Sequence, residues 1–196
     1  MDALGTTSTL AHDRPLRLVV TDDLARNRLT VFFRGLLAIP HIVWLMLWGI
    51  AAYLAAIVNW FAALITGRSP EGLHNYLAAY LRYATHVGAY INLLGDPFPS
   101  FSGASGYPVD VAIEPPAPQK RLVTFFRALL AIPALIVASV LANVLSLIAF
   151  LAWFVCLFAG RMPEGMRNLG TYCLRYSVET YAYAFFILTD RYPSFS

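Results

Sequence analysis

The residues best placed to do chemistry are two arginines, each followed one helical turn later by a second ionisable group. Arg82 precedes His86, and Arg175 precedes Glu179. Side chains four apart share one face of a helix, so Arg175 and Glu179 can pair, while Arg82 and His86 set a fixed cation beside a proton carrier. Asn75 and Asn168 lie on the same faces two turns earlier. Buried together, such groups handle a proton, an ion or an anionic headgroup, or they lock two helical pieces with an ion pair. The residue types allow both. No Gly-x-Ser-x-Gly elbow, Walker loop or His-Glu-x-x-His is found in the chain. Cys156 and Cys173 stand alone in apolar stretches, as buried free thiols do. No catalytic residue, metal or cofactor is therefore expected. His41 and His86 do not suit a haem: measured back from the turn between their helices, they lie about 38 Å and about 21 Å along.

The arginines match because the sequence is written twice. Arg28-Leu-Thr-Val-Phe-Phe-Arg34 returns as Arg121-Leu-Val-Thr-Phe-Phe-Arg127, and Leu36-Leu-Ala-Ile-Pro40 as Leu129-Leu-Ala-Ile-Pro133. Gly67-Arg-Ser-Pro-Glu-Gly72 returns as Gly160-Arg-Met-Pro-Glu-Gly165, and Leu81-Arg-Tyr83 as Leu174-Arg-Tyr176. The spacing is 93 residues, slipping to 94 where Asp96-Pro-Phe-Pro-Ser-Phe101 returns as Asp190-Arg-Tyr-Pro-Ser-Phe195. The chain divides into a polar tail (1–13), a first repeat (14–101), a linker (102–106) and a second repeat (107–196). Positions kept in both copies are held by the architecture, and those that differ are free for a specific task.

Hydrophobic residues make up 59% of the 196 and charged residues 13%, with mean hydropathy +0.61. Soluble domains carry about a quarter charged residues, so this chain cannot cover an ordinary water-facing surface, and an integral membrane protein is expected. The first 30 residues are polar, so no cleavable signal peptide is expected. The net charge of +3 fits arginines beside anionic lipid better than a nucleic-acid partner, because the basic residues flank apolar segments.

Each repeat opens with a short alternating stretch, Pro15–Val20 or Pro108–Ile113, that predicts a membrane-proximal strand. Arg28–Ile39 and Arg121–Ile132 predict interfacial helices, kinked or ended by Pro40 and Pro133. His41–Thr66 and Ala134–Ala159 are apolar and reach about 39 Å, enough to span. Gly67 and Gly160 stop them, and a second helix follows over Glu71–Leu94 or Glu164–Leu188. On that helix Asn75, Ala78, Arg82, Thr85, His86 and Ala89 share one side, and Leu73, Leu77, Tyr80, Val87 and Ile91 the other. Small and polar inward with bulky outward fits a packed membrane helix, although a helix lying in the interface gives a similar pattern.

The expected fold is thus a mainly α membrane protein: two tandem helical hairpins, about four transmembrane helices, with interfacial helices and short strands. Hairpins that enter and leave on one face make a parallel repeat with its axis along the membrane normal. Nine basic residues then flank the strand and linker side, against Arg68, Arg161 and Arg167 at the turns, which predicts a multi-pass protein with cytoplasmic termini. At that side Asp96 and Asp190 either cap a turn or pair with Arg28, Arg34, Arg121 or Arg127. At the turns, Glu71 and Glu164 open helices beside Arg68 and Arg161, which suits the helix dipole.

The motif set Phe-Phe-Arg-x-Leu-Leu-Ala-Ile-Pro, Trp60 ahead of Gly67-Arg-x-Pro-Glu, Leu-Arg-Tyr and Asp-x-aromatic-Pro-x-Phe resembles the bacterial membrane family catalogued as domain of unknown function 4389. That family's last motif usually reads Tyr-Pro-Pro-Phe, whereas this chain has serine at the third place in both copies. The resemblance implies the bacterial cytoplasmic membrane and no assigned activity, cofactor or substrate. The expected function is a non-enzymatic accessory or scaffold protein acting through helix, lipid or partner-protein contacts, alone or in a homo-oligomer or larger complex. The alternative is a lipid- or small-solute-binding transport component using Arg82, His86, Arg175 and Glu179.

Overall fold

Gly67 and Gly160 end two long helices in the left-handed conformation, at φ 79° and 67°, with their N–H groups returned to Ala63 and Cys156. Glycine takes that conformation without a Cβ penalty. The computed structural model describes residues 16–195. Its elements are β1 (Leu16–Val20), α1 (Arg28–Thr66), α2 (Glu71–Ile91), β2 (Val109–Ile113), α3 (Arg121–Ala159) and α4 (Glu164–Tyr181), the last running into a π-helical turn over Ala182–Phe186. The strand, long helix and shorter helix of each copy follow the predicted order. The polar tail, Arg14 and Pro15 lie outside the described residues.

Pro40 and Pro133 neither end nor divide their helices. Both sit inside continuous helices of 39 residues. A proline costs one backbone hydrogen bond, but Val31, Arg34, Ala38 and His41 stay buried on one face past it. Packing on that face holds both sides of the proline in register.

The two copies run against each other, which corrects the parallel arrangement. β1 and β2 pair antiparallel, with Leu16 opposite Ile113 and Leu18 opposite Val111. Leu18 and Val111 are equivalent positions, so a pseudo-twofold axis passes through the middle of the sheet. The Arg26 N–H donates to Gly160 O at 3.0 Å and the Gln119 N–H to Gly67 O at 2.7 Å. Trp60 Nε1 donates to Thr124 O and Trp153 Nε1 to Val31 O, each at 3.0 Å. Each long helix therefore starts beside the end of the other. The reason lies in the linkers: Ile113 to Arg121 is eight residues, rich in proline, and reaches about 27 Å when extended. That is about half of a 39-residue helix, enough to carry the chain from the central sheet to the far end. Arg28 and Arg121 thus lie at opposite ends, and the nine-to-three count of basic residues carries no orientation.

β2 packs on α2 and β1 on α4, while α1 packs on α2 and α3 on α4. The shorter helices are the middle layer. This corrects the expected faces of α2: Leu77 and Val87 are fully buried along with Ala78, Thr85, His86 and Ala89, and Asn75 is exposed. A helix covered by a long helix on one side and a sheet on another buries bulky and small residues alike. The long helices are the outer layer, and each leaves an apolar stripe uncovered, from Leu29 to Ile65 in α1 and from Leu122 to Phe158 in α3. α1 and α3 are the two helices long and apolar enough to cross a membrane, with mean hydropathy 2.0 and 2.5 over their best windows. The expected four spans reduce to two candidates, because α2 and α4 are shorter and more polar.

Candidate functional site

The first copy's ionisable pair meets a third partner that comes from β2. His86 Nε2 lies 2.8 Å from Asp110 Oδ1, and Arg82 Nε lies 3.5 Å from the same oxygen. Arg82 also donates to Val111 O at 3.2 Å. The Gly106 N–H donates to Asp110 Oδ2 at 2.9 Å and the Val111 N–H to Oδ1 at 2.7 Å. Burial pushes the Asp110 carboxyl up, but hydrogen bonds from Gly106, His86 and Val111 outweigh it and hold the group below its ordinary 3.8. Tyr107 stacks on His86 at 4.8 Å and donates its hydroxyl to Pro97 O at 2.8 Å. Burial raises that phenol above its ordinary value. An open cleft of about 420 Å³ adjoins the cluster, lined by Arg82, Tyr107, Asp110, Thr21 and Ser105 among others. The arrangement is a carboxylate held ionised among donors, with its lone pairs largely occupied.

The second copy builds the same place with the charges exchanged. His86 becomes Glu179, and Asp110, read back by 93 residues, becomes Arg17 of β1. Arg175 Nε lies 3.8 Å from Glu179 Oε1, its guanidinium 5.2 Å from the Tyr172 ring centre, and Glu179 Oε2 accepts from the Ser194 N–H at 3.4 Å. The polar residues therefore form two separate groups, the first joining α2 of one copy to β2 of the other, and Arg82 pairs with Asp110 rather than with Glu179. Asn75 and Asn168 are both exposed and join neither group; the Asn168 carbonyl accepts from Thr171 Oγ1 at 3.0 Å. Asp110 and Arg17 were not singled out from the sequence, although the repeat alignment carries their exchange.

The turn motifs form two matching locks, the second with an added hydrogen bond from Arg127 Nη2 to Gln119 Oε1 at 2.7 Å. Arg34 Nη2 pairs with Asp96, and Nη1 donates to Tyr90 O at 2.7 Å and Gly95 O at 3.0 Å. Arg127 Nη2 pairs with Asp190 at 2.9 Å, and Nη1 donates to Tyr183 O at 3.0 Å and Thr189 O at 2.8 Å. Each guanidinium also stacks on a tyrosine, Tyr90 at 4.5 Å or Tyr183 at 4.7 Å. Each thus fastens the free carbonyls at the end of the shorter helix to the long one. The first copy adds a pair that sequence reasoning missed: buried Arg26 holds Asp22 at 2.8 Å and donates to Leu93 O at 3.0 Å. At the other turns Arg68 and Arg161 work through their backbones, in bridges to Pro118 and Ala25. Glu71 is exposed, and Glu164 lies 3.9 Å from Arg167.

The one-residue slip in the repeat is the π-helical turn Ala182–Phe186, since an extra residue inside a helix widens one turn. Leu93 and Ile187, which follow it at the 94-residue spacing, both have positive φ, 63° and 55°. The widened turn borders an apolar groove of about 360 Å³ with Tyr53, Ile57, Trp60 and Tyr80. His41 Nδ1 lies 2.7 Å from the Tyr83 hydroxyl, among Phe98 and Phe101. Its depth relative to His86 is corrected: it packs against Tyr83 and Tyr90, which bracket His86 along α2. Between the helices Arg68 is bridged to Pro118 and Ser69 bonds to Ile187 O, and the two helices do not start level. Cys156 and Cys173 are buried free thiols. Among the described residues, no group of three or more His, Cys, Asp or Glu is placed to hold a metal.

No curated protein and no solved structure matches this chain. Residues 28–103 and 121–196 each match the family model described as Domain of unknown function (DUF4389), and these stretches hold both long helices, both shorter helices and both arginine–aspartate locks. The chain therefore belongs to the DUF4389 family, which it contains as two tandem copies.

Proposed function

We propose that the protein is a non-enzymatic accessory or scaffold protein of the bacterial cytoplasmic membrane, acting through the outer faces of its long helices on lipid and on partner membrane proteins. The observation that carries this reading is the pair of uncovered apolar stripes, with residues such as Leu29, Leu36, Met46, Ile50 and Ile65 more than half exposed. A soluble monomer rarely leaves apolar patches above a few hundred Å² open to water. The ionisable residues, by contrast, are engaged with one another and with backbone, as in a structural role. The test is extraction of expressing cells with alkaline carbonate. Retention in the membrane pellet is expected, and release into the supernatant overturns the reading.

A second reading, binding of a lipid headgroup or small solute at the polar cluster, draws on the cleft beside Arg82 and Asp110. It predicts ligand-dependent thermal stabilisation that Arg82→Gln abolishes. Arg175→Gln tests whether the second copy takes part.

A further inference from the structure

We propose that the protein sits in one leaflet, with α1 and α3 lying along the membrane plane rather than crossing it. This deepens the membrane reading above and rests on it. The pseudo-twofold that relates Leu18 to Val111 in the sheet also relates α1 to α3. An axis that turns one antiparallel helix into the other crosses both near their midpoints, so the sheet is centred over the middle of the long helices. If those helices crossed a bilayer, the sheet would lie at its midplane. Both strands of a two-stranded sheet are edges, and open edges are not tolerated in hydrocarbon. Exposed Thr21 and the charge of exposed Glu114 would lie at about the same depth.

Length gives an independent argument. The exposed stripe of α1 runs from Leu29 to Ile65, about 54 Å. Fitting it within a hydrocarbon core about 30 Å thick needs a tilt of about 56°, beyond the 0–40° that membrane helices adopt. Lying flat, the two helices present a footprint on the order of 1,000 Å². A standard interface with a second protein copy covers about 800 Å² per partner.

Charge complements the same placement. Exposed Arg28 and Arg161 stand at one end of the helix pair, and exposed Arg68, Lys120 and Arg121 at the other. A crossing would give both membrane sides a cationic rim. A flat seat puts both rims at the anionic headgroups of one leaflet.

The experiment uses the full chain with Leu29→Cys, Leu47→Cys and Ile65→Cys made singly, spin-labelled and reconstituted in vesicles containing phosphatidylglycerol. All three sites are exposed, and the native cysteines are buried. Collision with oxygen and with a water-soluble nickel complex reads depth. Equal, oxygen-rich depths at the three sites are expected. A label at Leu47 about 27 Å deeper than or displaced from those at Leu29 and Ile65 overturns the proposal in favour of a crossing. Exclusion of both colliders means that a second copy covers the stripe, and this also overturns it. Flotation of the wild-type protein with the same vesicles tests the underlying reading separately: protein left at the bottom of the gradient sinks membrane residence itself. Glu71→Cys and Glu164→Cys, at opposite ends of the molecule, should both react with an impermeant maleimide added to one side only.

Discussion

Arg34 in the first copy and Arg127 in the second do the same thing, whereas His86 and Glu179, at equally matched positions, do opposite things. Each arginine reaches a carboxylate, two backbone carbonyls and a tyrosine ring. One lock per copy is the minimum that ties a shorter helix to its long one, so the copies cannot drift apart there. In the middle layer the demand is only that opposite charges meet. Histidine on α2 with aspartate on β2 satisfies it in one group, and the equivalent positions of the other group, on α4 and β1, carry glutamate and arginine. Symmetry thus marks what the fold requires, and departures from it mark what the fold tolerates.

The comparison breaks most visibly if the locks are unequal. Arg34→Ala and Arg127→Ala should each lose about 2–3 kcal/mol, chiefly from backbone carbonyls left unpaired, since Asp96 and Asp190 are only partly buried. Thermal unfolding in detergent micelles checks this, and a loss in one copy only would end the equivalence. The charge exchange is tested by importing the residue types of the second group, Glu179 and Arg17, into the first. His86→Glu or Asp110→Arg alone should cost about 1–3 kcal/mol through like-charge contact, and the double variant should recover most of it. A double variant no better than the sum of its parts would show that shape, not charge, sets this layer.

Smaller effects concern packing and titration. A Cβ on Gly49 would meet the Tyr80 hydroxyl at 2.9 Å, while the second copy holds Ala142 and Cys173 at these places. Gly49→Ala should cost about 1 kcal/mol, since the hydroxyl end of a flexible side chain can give way, and adding Tyr80→Cys should remove the cost. The smallest effect is acidic. Asp110 is depressed in the folded protein, so its contribution is complete above the ordinary 3.8 and is lost as pH falls through the lower folded value. Asp110→Asn should flatten that acid limb of a stability profile, and an unchanged limb would assign it to other carboxylates.

Much of the fold was legible because it is local. The repeat and the glycine stops follow from motifs within a few residues, whereas Asp96 and Asp190 left four arginines open and only the fold, across more than sixty residues, selects Arg34 and Arg127. What was not legible depends on how far a connection travels. Eight extended residues before Arg121 decide between parallel and antiparallel copies, and their reach has no signature in hydropathy. The path of residues 67–70 decides which residues of α1 and α2 come level, and assuming a level start placed His41 wrongly against His86. Asp110 escaped notice because its partners Arg82 and His86 lie in the other repeat, and only the pairing of the strands across the repeats brings it to them. Pro40 misled because packing of Arg34 and His41 on either side outweighs one lost hydrogen bond.

The backbone bonds from Arg26 to Gly160 and from Gln119 to Gly67 mean that each hairpin's turn is completed by the other copy. Without residue 119 the first copy's turn lacks its bond to Gly67. A half-chain ending before the linker has the same unmet need and the complementary edge to satisfy it. Its natural recourse is a second half-chain, turned about the same axis. The full-length protein is in this sense a symmetric dimer made covalent, with a proline-rich splice in place of a second gene product.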